Sequence, residues 1–225
     1  MELLKNISGN TSKLRKKILA TVFVLVFCAA FVQGLRLLTG PKGKFLLDRR
    51  VASRAKGNPG APVWIVEYVD FQCGTCRLAS VVLHEYLERT PSQIYLQVRF
   101  RPLVITHLYA LKSAIYAECA ASQGKFWPFY DLLFQHQDQW KDSLDADGLF
   151  VSYAREAGLD TKKLELCVSN PEAKKKVIAE NDEAMDLGIR STPTFFINGK
   201  LVVGLEALKE ELSVHFPAKK ETAAS

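Results

Sequence analysis

The feature that most constrains the fold is the pair Cys73 and Cys76, which lies between an apolar segment and an amphipathic one. The preceding segment, 62–69 (PVWIVEYV), is rich in β-branched and aromatic residues, and this predicts a buried strand. From Cys73 to about Arg89 the apolar residues follow a helical period. Cys73 is therefore expected at a helix start, where free N–H groups and the helix dipole lower the pKa of a thiol.

The spacing of this pair leaves more than one function open. Two intervening residues let the second thiol reach back over one turn, so Cys73 would be the nucleophile and Cys76 the resolving thiol. A lone C-x-x-C pair also occurs as half of a zinc site or as a structural disulfide. Zinc needs a matching second pair, and Cys119 and Cys167 stand singly. No metal is predicted, and the strand–pair–helix order favours a redox dithiol.

The rest of the chain adds two strands, a helical block and a hairpin. Residues 94–100 (IYLQVRF) predict a second strand. The helical segments that follow are expected near 108–122, 126–137, 145–157, 161–168 and 172–187. Strand-like residues 194–197 then lead through Asn198-Gly199, a hairpin signal, into 201–203 and a closing helix over 205–215. The predicted order is β-α-β, a helical block, then β-β-α.

A proline directly before the third strand completes a recognisable pattern. Thr192-Pro193 stands where proline is tolerated, because the missing N–H of a first strand residue needs no partner. A trans bond is the default at such a site. Together with the C-x-x-C pair and the element order, however, the pattern resembles the thioredoxin fold, in which a cis-proline loop packs against the dithiol. The resemblance implies that Thr192 and Pro193 contact a bound peptide.

Four longer segments are similar to the DsbA-like thiol-disulfide oxidoreductases over about 58–215: VDFQCGTCR, RFRPL, AECAASQGKFWPFYDLLFQHQ and LGIRSTPTFFINGKLVVG. In that family a helical domain is inserted before the cis-proline strand. The expected fold is therefore an α/β thioredoxin fold over 58–217, with a helical insertion at about 104–189. Strongly oxidising members carry Pro-His between the cysteines, whereas this chain carries Gly-Thr, so the direction of the reaction stays open.

Glu67 is an acidic residue inside the first predicted strand. Alternation places it on the same face as the other odd-numbered, apolar positions. A buried carboxylate is costly and has a raised pKa unless it is paired. The resemblance implies a proton acceptor for Cys76, and the alternative is an exposed or salt-bridged side chain. Arg99 is a possible partner.

Cys119 and Cys167 both fall on apolar stripes of the helical block. One interpretation is two buried cysteines that act as small hydrophobic residues. The other is a structural disulfide within the insertion. Because free cysteine pairs are oxidised outside the cytoplasm, the disulfide is favoured.

The N-terminal part contains an uncharged run over 18–35. As a helix it would be about 27 Å long, close to the ~30 Å of a bilayer core. We predict a cytoplasmic segment 1–17, a transmembrane anchor 18–38, a linker 39–57 and a flexible tail 218–225. A cleaved signal peptide is the alternative. Basic residues flank the run on both sides, so charge does not set its orientation.

The formal charge of +6 also comes from these flanks, since residues 57–225 contain 18 basic and 22 acidic residues. A mildly acidic domain argues against nucleic acid as a partner.

The sequence thus predicts a thiol-disulfide oxidoreductase without a cofactor, on a single-pass anchor with its catalytic domain in the periplasm or at the cell exterior. Secretion after cleavage is the alternative. The expected reaction is donation of the Cys73–Cys76 disulfide to unfolded or reduced substrate proteins, followed by reoxidation by a membrane redox partner. A reductase or isomerase is the nearest alternative. A non-catalytic peptide-binding or chaperone module with a structural bridge is the other.

Overall fold

The computed structural model describes residues 21–23, 27 and 49–217. These belong to two separate units, Met1–Lys42 and Gly43–Ser225. The four described residues of the first unit are helical. Within the described parts of the chain, no helix combines the length and the apolar character needed to cross a membrane. Most of the anchor predicted over 18–38 lies outside the described residues, as do segment 1–17 and tail 218–225.

The second unit is built on a five-stranded sheet with the order β1-β3-β2-β4-β5. β2 and β3 are parallel, and the other neighbours are antiparallel. The strands are β1 (Ala55–Gly57), β2 (Val63–Val69), β3 (Ile94–Phe100), β4 (Thr194–Ile197) and β5 (Lys200–Val203). The two central strands are almost wholly buried, as expected from their nearly continuous apolar sequences.

Helices cover the sheet and form the insertion between β3 and β4. They are α1 (Gly74–Arg89), α2 (Ala110–Ser122), α3 (Phe126–Gln135), α4 (Gln137–Trp140), α5 (Ala146–Glu156), α6 (Thr161–Ser169), α7 (Pro171–Asp186) and α8 (Leu205–His215). α2 to α7 are consecutive, as the resemblance implied. Side chains of Asp145, Asp160 and Asn170 accept hydrogen bonds from N–H groups at three of the helix starts, which stabilises those ends.

The two faces of β2 serve different neighbours. Ile65 and Val69 belong to the main core together with Cys76 of α1. Val66 and Tyr68 instead form a smaller buried cluster on the other face, with residues at and after the end of α7. The site described below depends on this division, because Glu67 points to the main core.

The linker predicted over 39–57 is wrong for residues 49–57, which form regular structure. Arg49–Arg54 form a 3-10 helix, and β1 pairs with β3. The guanidinium group of Arg54 is buried, lies 4.1 Å from the ring centre of Phe100, and forms an ion pair with Glu180 of α7. The basic, glycine-containing composition predicts a solvated segment. In the folded chain, however, acidic residues distant in sequence neutralise the buried charge of Arg54.

Candidate active site

The dithiol lies at the junction of β2 and α1. Cys73 is the residue before the first turn of α1, and its N–H donates to the carbonyl of Asp70 at 3.1 Å. Cys73 is half-buried, whereas Cys76 is fully buried one turn further on. Both are free thiols, so the structure corresponds to the reduced state of the pair.

The Cys73 thiol is strongly acidic. Its pKa is lowered from 9.0 to about 5, mainly by the hydrogen bond from the Cys76 thiol, and burial opposes this effect. The N–H groups at the helix start lower the pKa further. The direction agrees with the sequence analysis, but the helix start contributes less than the neighbouring thiol.

The Cys76 thiol behaves in the opposite way. Burial raises its pKa well above 9.0, and the hydrogen bond to Cys73 and the charges of Cys73 and Glu67 raise it further. One thiol of the pair is thus an accessible thiolate at neutral pH, while the other holds its proton.

Glu67 is fully buried on the Cys76 side of β2. Its Oε2 accepts a hydrogen bond from the Tyr130 hydroxyl at 3.2 Å. Burial raises the pKa of this carboxyl to about 8, and the bond from Tyr130 limits the rise. A carboxyl group with such a pKa can give or take a proton near neutral pH.

The possible pairing of Glu67 with Arg99 is wrong. In the parallel register Glu67 lies beside Val98, whereas Arg99 lies beside Tyr68. Successive residues of a strand point to opposite faces, so Arg99 faces away from the dithiol. Its guanidinium group lies 2.7 Å from a carboxylate oxygen of Glu183.

The cis-proline loop faces the dithiol. The Thr192–Pro193 peptide bond is cis. The carbonyl oxygen of Thr192 lies 3.4 Å from Sγ of Cys73. The structure therefore brings together Cys73, Cys76, Glu67 and this loop, although they are far apart in the sequence.

Asp70 and Gln137 hold the segment before α1, and sequence reasoning missed both. Asp70 Oδ1 accepts from the N–H of Gln72, and Oδ2 accepts from the N–H of Leu103, each at 2.8 Å. Gln137 Nε2 donates to the carbonyl of Cys73 at 3.1 Å and to that of the residue two before it at 2.7 Å. An aspartate directly after a buried strand is a usable signal, whereas no pattern marks Gln137.

The second cysteine pair lies outside this site. Cys119 of α2 and Cys167 of α6 form a disulfide, the bridge that the sequence analysis favoured.

Tyr130 is a further residue of the site that sequence reasoning does not find. It lies inside the QGKFWPFYDLL segment, whose aromatic residues predict only a packed core.

Comparisons with known proteins agree with this geometry. The family model described as Thioredoxin matches residues 50–213. A curated relative, Na(+)/H(+) antiporter NhaA 3 of Salinispora tropica, is 36% identical over 145 residues, which cover 64% of this chain and 21% of that protein. The chain thus spans about a fifth of the length of this relative.

Two solved structures have a similar fold. A thioredoxin-like oxidoreductase from Silicibacter pomeroyi is 26% identical with a TM-score of 0.60, and the match covers 76% of this chain and 99% of that one. A variant of alpha-DsbA1 from Wolbachia pipientis is 24% identical with a TM-score of 0.65, covering 77% and 93%. The chain therefore belongs to the thioredoxin family and has a DsbA-like thioredoxin fold, as expected of a thiol-disulfide oxidoreductase.

Proposed function

We propose that this protein donates the Cys73–Cys76 disulfide to reduced or unfolded proteins outside the cytoplasm. The observation that carries the proposal is the opposite acidity of the two thiols. Cys73 has a lowered pKa and is half-buried, while Cys76 has a raised pKa and is buried. This division suits a nucleophile and a resolving thiol.

The proposed reaction is a two-step exchange. A substrate thiolate attacks Sγ of Cys73, the Cys73–Cys76 bond breaks, and the Cys76 sulfur leaves and takes a proton from Glu67. A second substrate thiolate then attacks the substrate sulfur of the mixed disulfide, and Cys73 leaves as a thiolate. The substrate dithiol is oxidised to a disulfide, and the enzyme disulfide is reduced to a dithiol.

The acidity of Cys73 supports the oxidising direction. A stabilised thiolate exists only in the reduced enzyme, so it makes reduction of the enzyme more favourable. The Gly-Thr pair supplies no cation between the cysteines. Here the Cys76 thiol and backbone N–H groups stabilise the thiolate instead.

The surroundings of Cys73 suit an unfolded substrate. Gln72 precedes Cys73, accepts a hydrogen bond from the Tyr109 N–H at 2.7 Å, and donates one to the carbonyl of Lys141 at 2.8 Å. The two segments that Gln72 thus joins to the residue before Cys73 also carry exposed apolar side chains, namely Ile105, Leu108 and Leu144. Such side chains bind apolar segments that folded proteins bury. Thr192 and Pro193 would hold the substrate backbone on the other side.

The proposal includes an anchor over 18–38 and a membrane redox partner that reoxidises the dithiol. The Cys119–Cys167 disulfide supports an oxidising compartment, because disulfides persist there and are rare in the cytoplasm. Protease treatment of sealed vesicles that carry the full chain tests the placement. Digestion of residues 57–225 only from the exterior face is expected, and digestion from the cytoplasmic face would refute it.

The catalytic proposal is tested by the reduction potential of the dithiol and by its oxidation of a reduced, unfolded protein. We expect a potential above about −180 mV and stoichiometric transfer of the disulfide. A potential near about −270 mV would indicate a reductase instead. Repair of scrambled disulfides without net oxidation would indicate an isomerase. Full activity in Cys73→Ser would exclude the dithiol mechanism and leave the peptide-binding alternative.

A further inference from the structure

We infer that Tyr130 is a positioning residue of the helical insertion that controls when Glu67 can accept the proton of Cys76. The inference rests on the proposed function, because it concerns the resolving step of the same dithiol. It gives the insertion a part in the chemistry, in addition to covering the sheet.

The geometry isolates one hydrogen bond. Tyr130 belongs to α3 and is buried, and its hydroxyl lies 3.2 Å from Oε2 of Glu67. The other carboxylate oxygen, Oε1, accepts no hydrogen bond from any residue that the structure describes. The Tyr130 ring is fixed by edge contacts at 5.6 Å to Phe71 and 4.9 Å to Phe134. The donor is thus held in place by packing.

The other groups around the carboxyl do not replace this donor. On the adjacent strands, Glu67 is paired with Val98 and Phe195, which carry no polar atoms in their side chains. Among the residues that the structure describes, the titratable groups that act on this cluster are the thiols of Cys73 and Cys76 and the carboxyl of Asp131, which neighbours Tyr130 on α3. A thiolate or carboxylate repels the Glu67 carboxylate.

The bond therefore sets the balance between the two forms of Glu67. A donor to a carboxylate stabilises the ionised form, whereas burial stabilises the protonated form. The resulting pKa of about 8 reflects both effects, with burial the larger. Burial raises the pKa of Tyr130 itself well above 10.0, so the hydroxyl keeps its proton and remains a donor.

The consequence appears during reoxidation. The Cys73 thiolate attacks one sulfur of a disulfide of the redox partner, the partner disulfide breaks and releases its other sulfur as a thiolate, and a mixed disulfide forms. Cys76 then gives its proton to the Glu67 carboxylate and attacks Sγ of Cys73, and the partner thiolate leaves. The Cys73–Cys76 bond replaces the mixed disulfide, so the enzyme is oxidised and the partner reduced. Without the Tyr130 hydroxyl, less of Glu67 is ionised at a given pH, and this step slows.

The test compares Tyr130→Phe with Tyr116→Phe in the full chain. Tyr116 is a matched control, since its hydroxyl also donates to a carboxylate, that of Asp147, at 3.2 Å. The protonated Glu67 carboxyl is followed by its infrared carbonyl band, assigned with Glu67→Gln. Because a hydrogen bond to a charged group contributes about 1.5–3 kcal/mol, the Glu67 midpoint should rise by about one pH unit or more in Tyr130→Phe. It should stay unchanged in Tyr116→Phe.

The resolving step is measured separately. A mixed disulfide between Cys73 and a chromogenic aryl thiol releases the chromophore when Cys76 attacks. The pH midpoint of that release should rise with the Glu67 midpoint in Tyr130→Phe, with an unchanged plateau rate at high pH. Placing 3-fluorotyrosine at position 130 strengthens the donor, so it should move both midpoints down and keeps the test decisive if Tyr130→Phe does not fold.

Each outcome is decisive. An unchanged infrared midpoint in Tyr130→Phe overturns the inference, whatever the exchange activity. A raised infrared midpoint with an unchanged release profile also overturns it, because the hydrogen bond would then have no part in resolution. If Glu67→Gln releases the chromophore like the wild type, the proton transfer between Glu67 and Cys76 in the proposed function fails. Oxidation of reduced substrate by the same preparation shows independently whether the dithiol mechanism stands.

Discussion

The two cysteine pairs of this domain are alike in exposure but differ in oxidation state and in their positions along the helices. Each has one fully buried member, Cys76 or Cys119, and one partly buried member, Cys73 or Cys167. The first pair is a free dithiol, and the second is a disulfide. Burial alone therefore does not decide which pair is redox-active.

The position along a helix separates the pairs. Cys73 precedes the first turn of α1, where N–H groups and the positive end of the dipole favour a thiolate. Cys119 and Cys167 lie in the last turns of α2 and α6, where the negative end disfavours one. A sulfur that forms a poor thiolate is a poor leaving group, so the second bridge should resist exchange. We therefore interpret the first pair as reactive and the second as structural.

The largest expected difference between the pairs is in activity. Cys73→Ser should reduce the oxidation of a reduced protein to the uncatalysed background, because a hydroxyl cannot form the mixed disulfide. The double variant Cys119→Ala/Cys167→Ala should retain the wild-type rate within about twofold at a temperature where it is folded. Loss of exchange in this folded double variant would show that the second pair takes part in the reaction.

The next largest effect is on stability. Removing the bridge frees a loop with a sequence separation of 48 residues. The chain-entropy relation then gives a loss of about 4 kcal/mol in the free energy of unfolding. Denaturant titration of the oxidised double variant against the oxidised wild type measures this loss. A change below about 1 kcal/mol would contradict a structural role for the bridge.

A smaller effect is expected from the support of the reactive pair. Gln137→Ala removes both hydrogen bonds that its buried amide donates to the segment before α1. We expect a loss of about 1–3 kcal/mol in unfolding free energy and slower exchange, because two carbonyl groups each lose one hydrogen bond. Gln135→Ala, at an exposed position of α3, is the matched control. Equal behaviour of the two variants would argue against this role for Gln137.

The smallest effect, counted per pH unit, is a pH dependence of the unfolding free energy that comes from the reactive pair alone. Between about pH 5 and pH 9 the unfolded chain keeps the Cys73 proton and the folded reduced chain does not. The contribution of Cys73 to the stability of the reduced form should therefore rise with pH in this window, and it is lost as pH falls to about 5. The oxidised form lacks this titration.

The measurement is the difference in unfolding free energy between the reduced and oxidised forms. It should increase with pH by less than about 1.4 kcal/mol per pH unit, since solvent screens the half-buried sulfur. A second comparison uses the reduced and oxidised forms of the double variant Cys119→Ala/Cys167→Ala, which keeps Cys73 and Cys76. The same slope is expected there. A difference that does not vary with pH would contradict the lowered pKa of Cys73.

Local patterns predicted the secondary structure well where their signals were strong. Strands 94–100 and 194–197 and the closing helix 205–215 have the predicted bounds. At Asn198-Gly199 both residues have positive φ, 48° and 87°, the conformation that the hairpin signal requires. These features depend on residues close in sequence, so a single sequence is sufficient to predict them.

Long-range pairing explains the errors. The glycines, prolines and charges of 39–57 predict a linker, but within this segment Arg54 meets Glu180 only in the folded chain. The sequence leaves Arg99 as a possible partner of Glu67, and only the strand register shows that the two side chains face opposite sides. Tyr130 reaches Glu67 from an insertion 63 residues away, so no spacing rule could connect them.

By itself, the sequence determined the helix-start dithiol, the buried acid in the strand before it, the helical block and the resemblance that joins them. These follow from residue type and short-range periodicity, which act along the chain. Only the tertiary structure decided how far the pKa of Cys73 falls and which group causes most of the fall, which group hydrogen-bonds the buried acid, and that Cys119 and Cys167 are joined. Those properties arise from burial and from contacts between segments distant in sequence, and they exist only once the chain has folded.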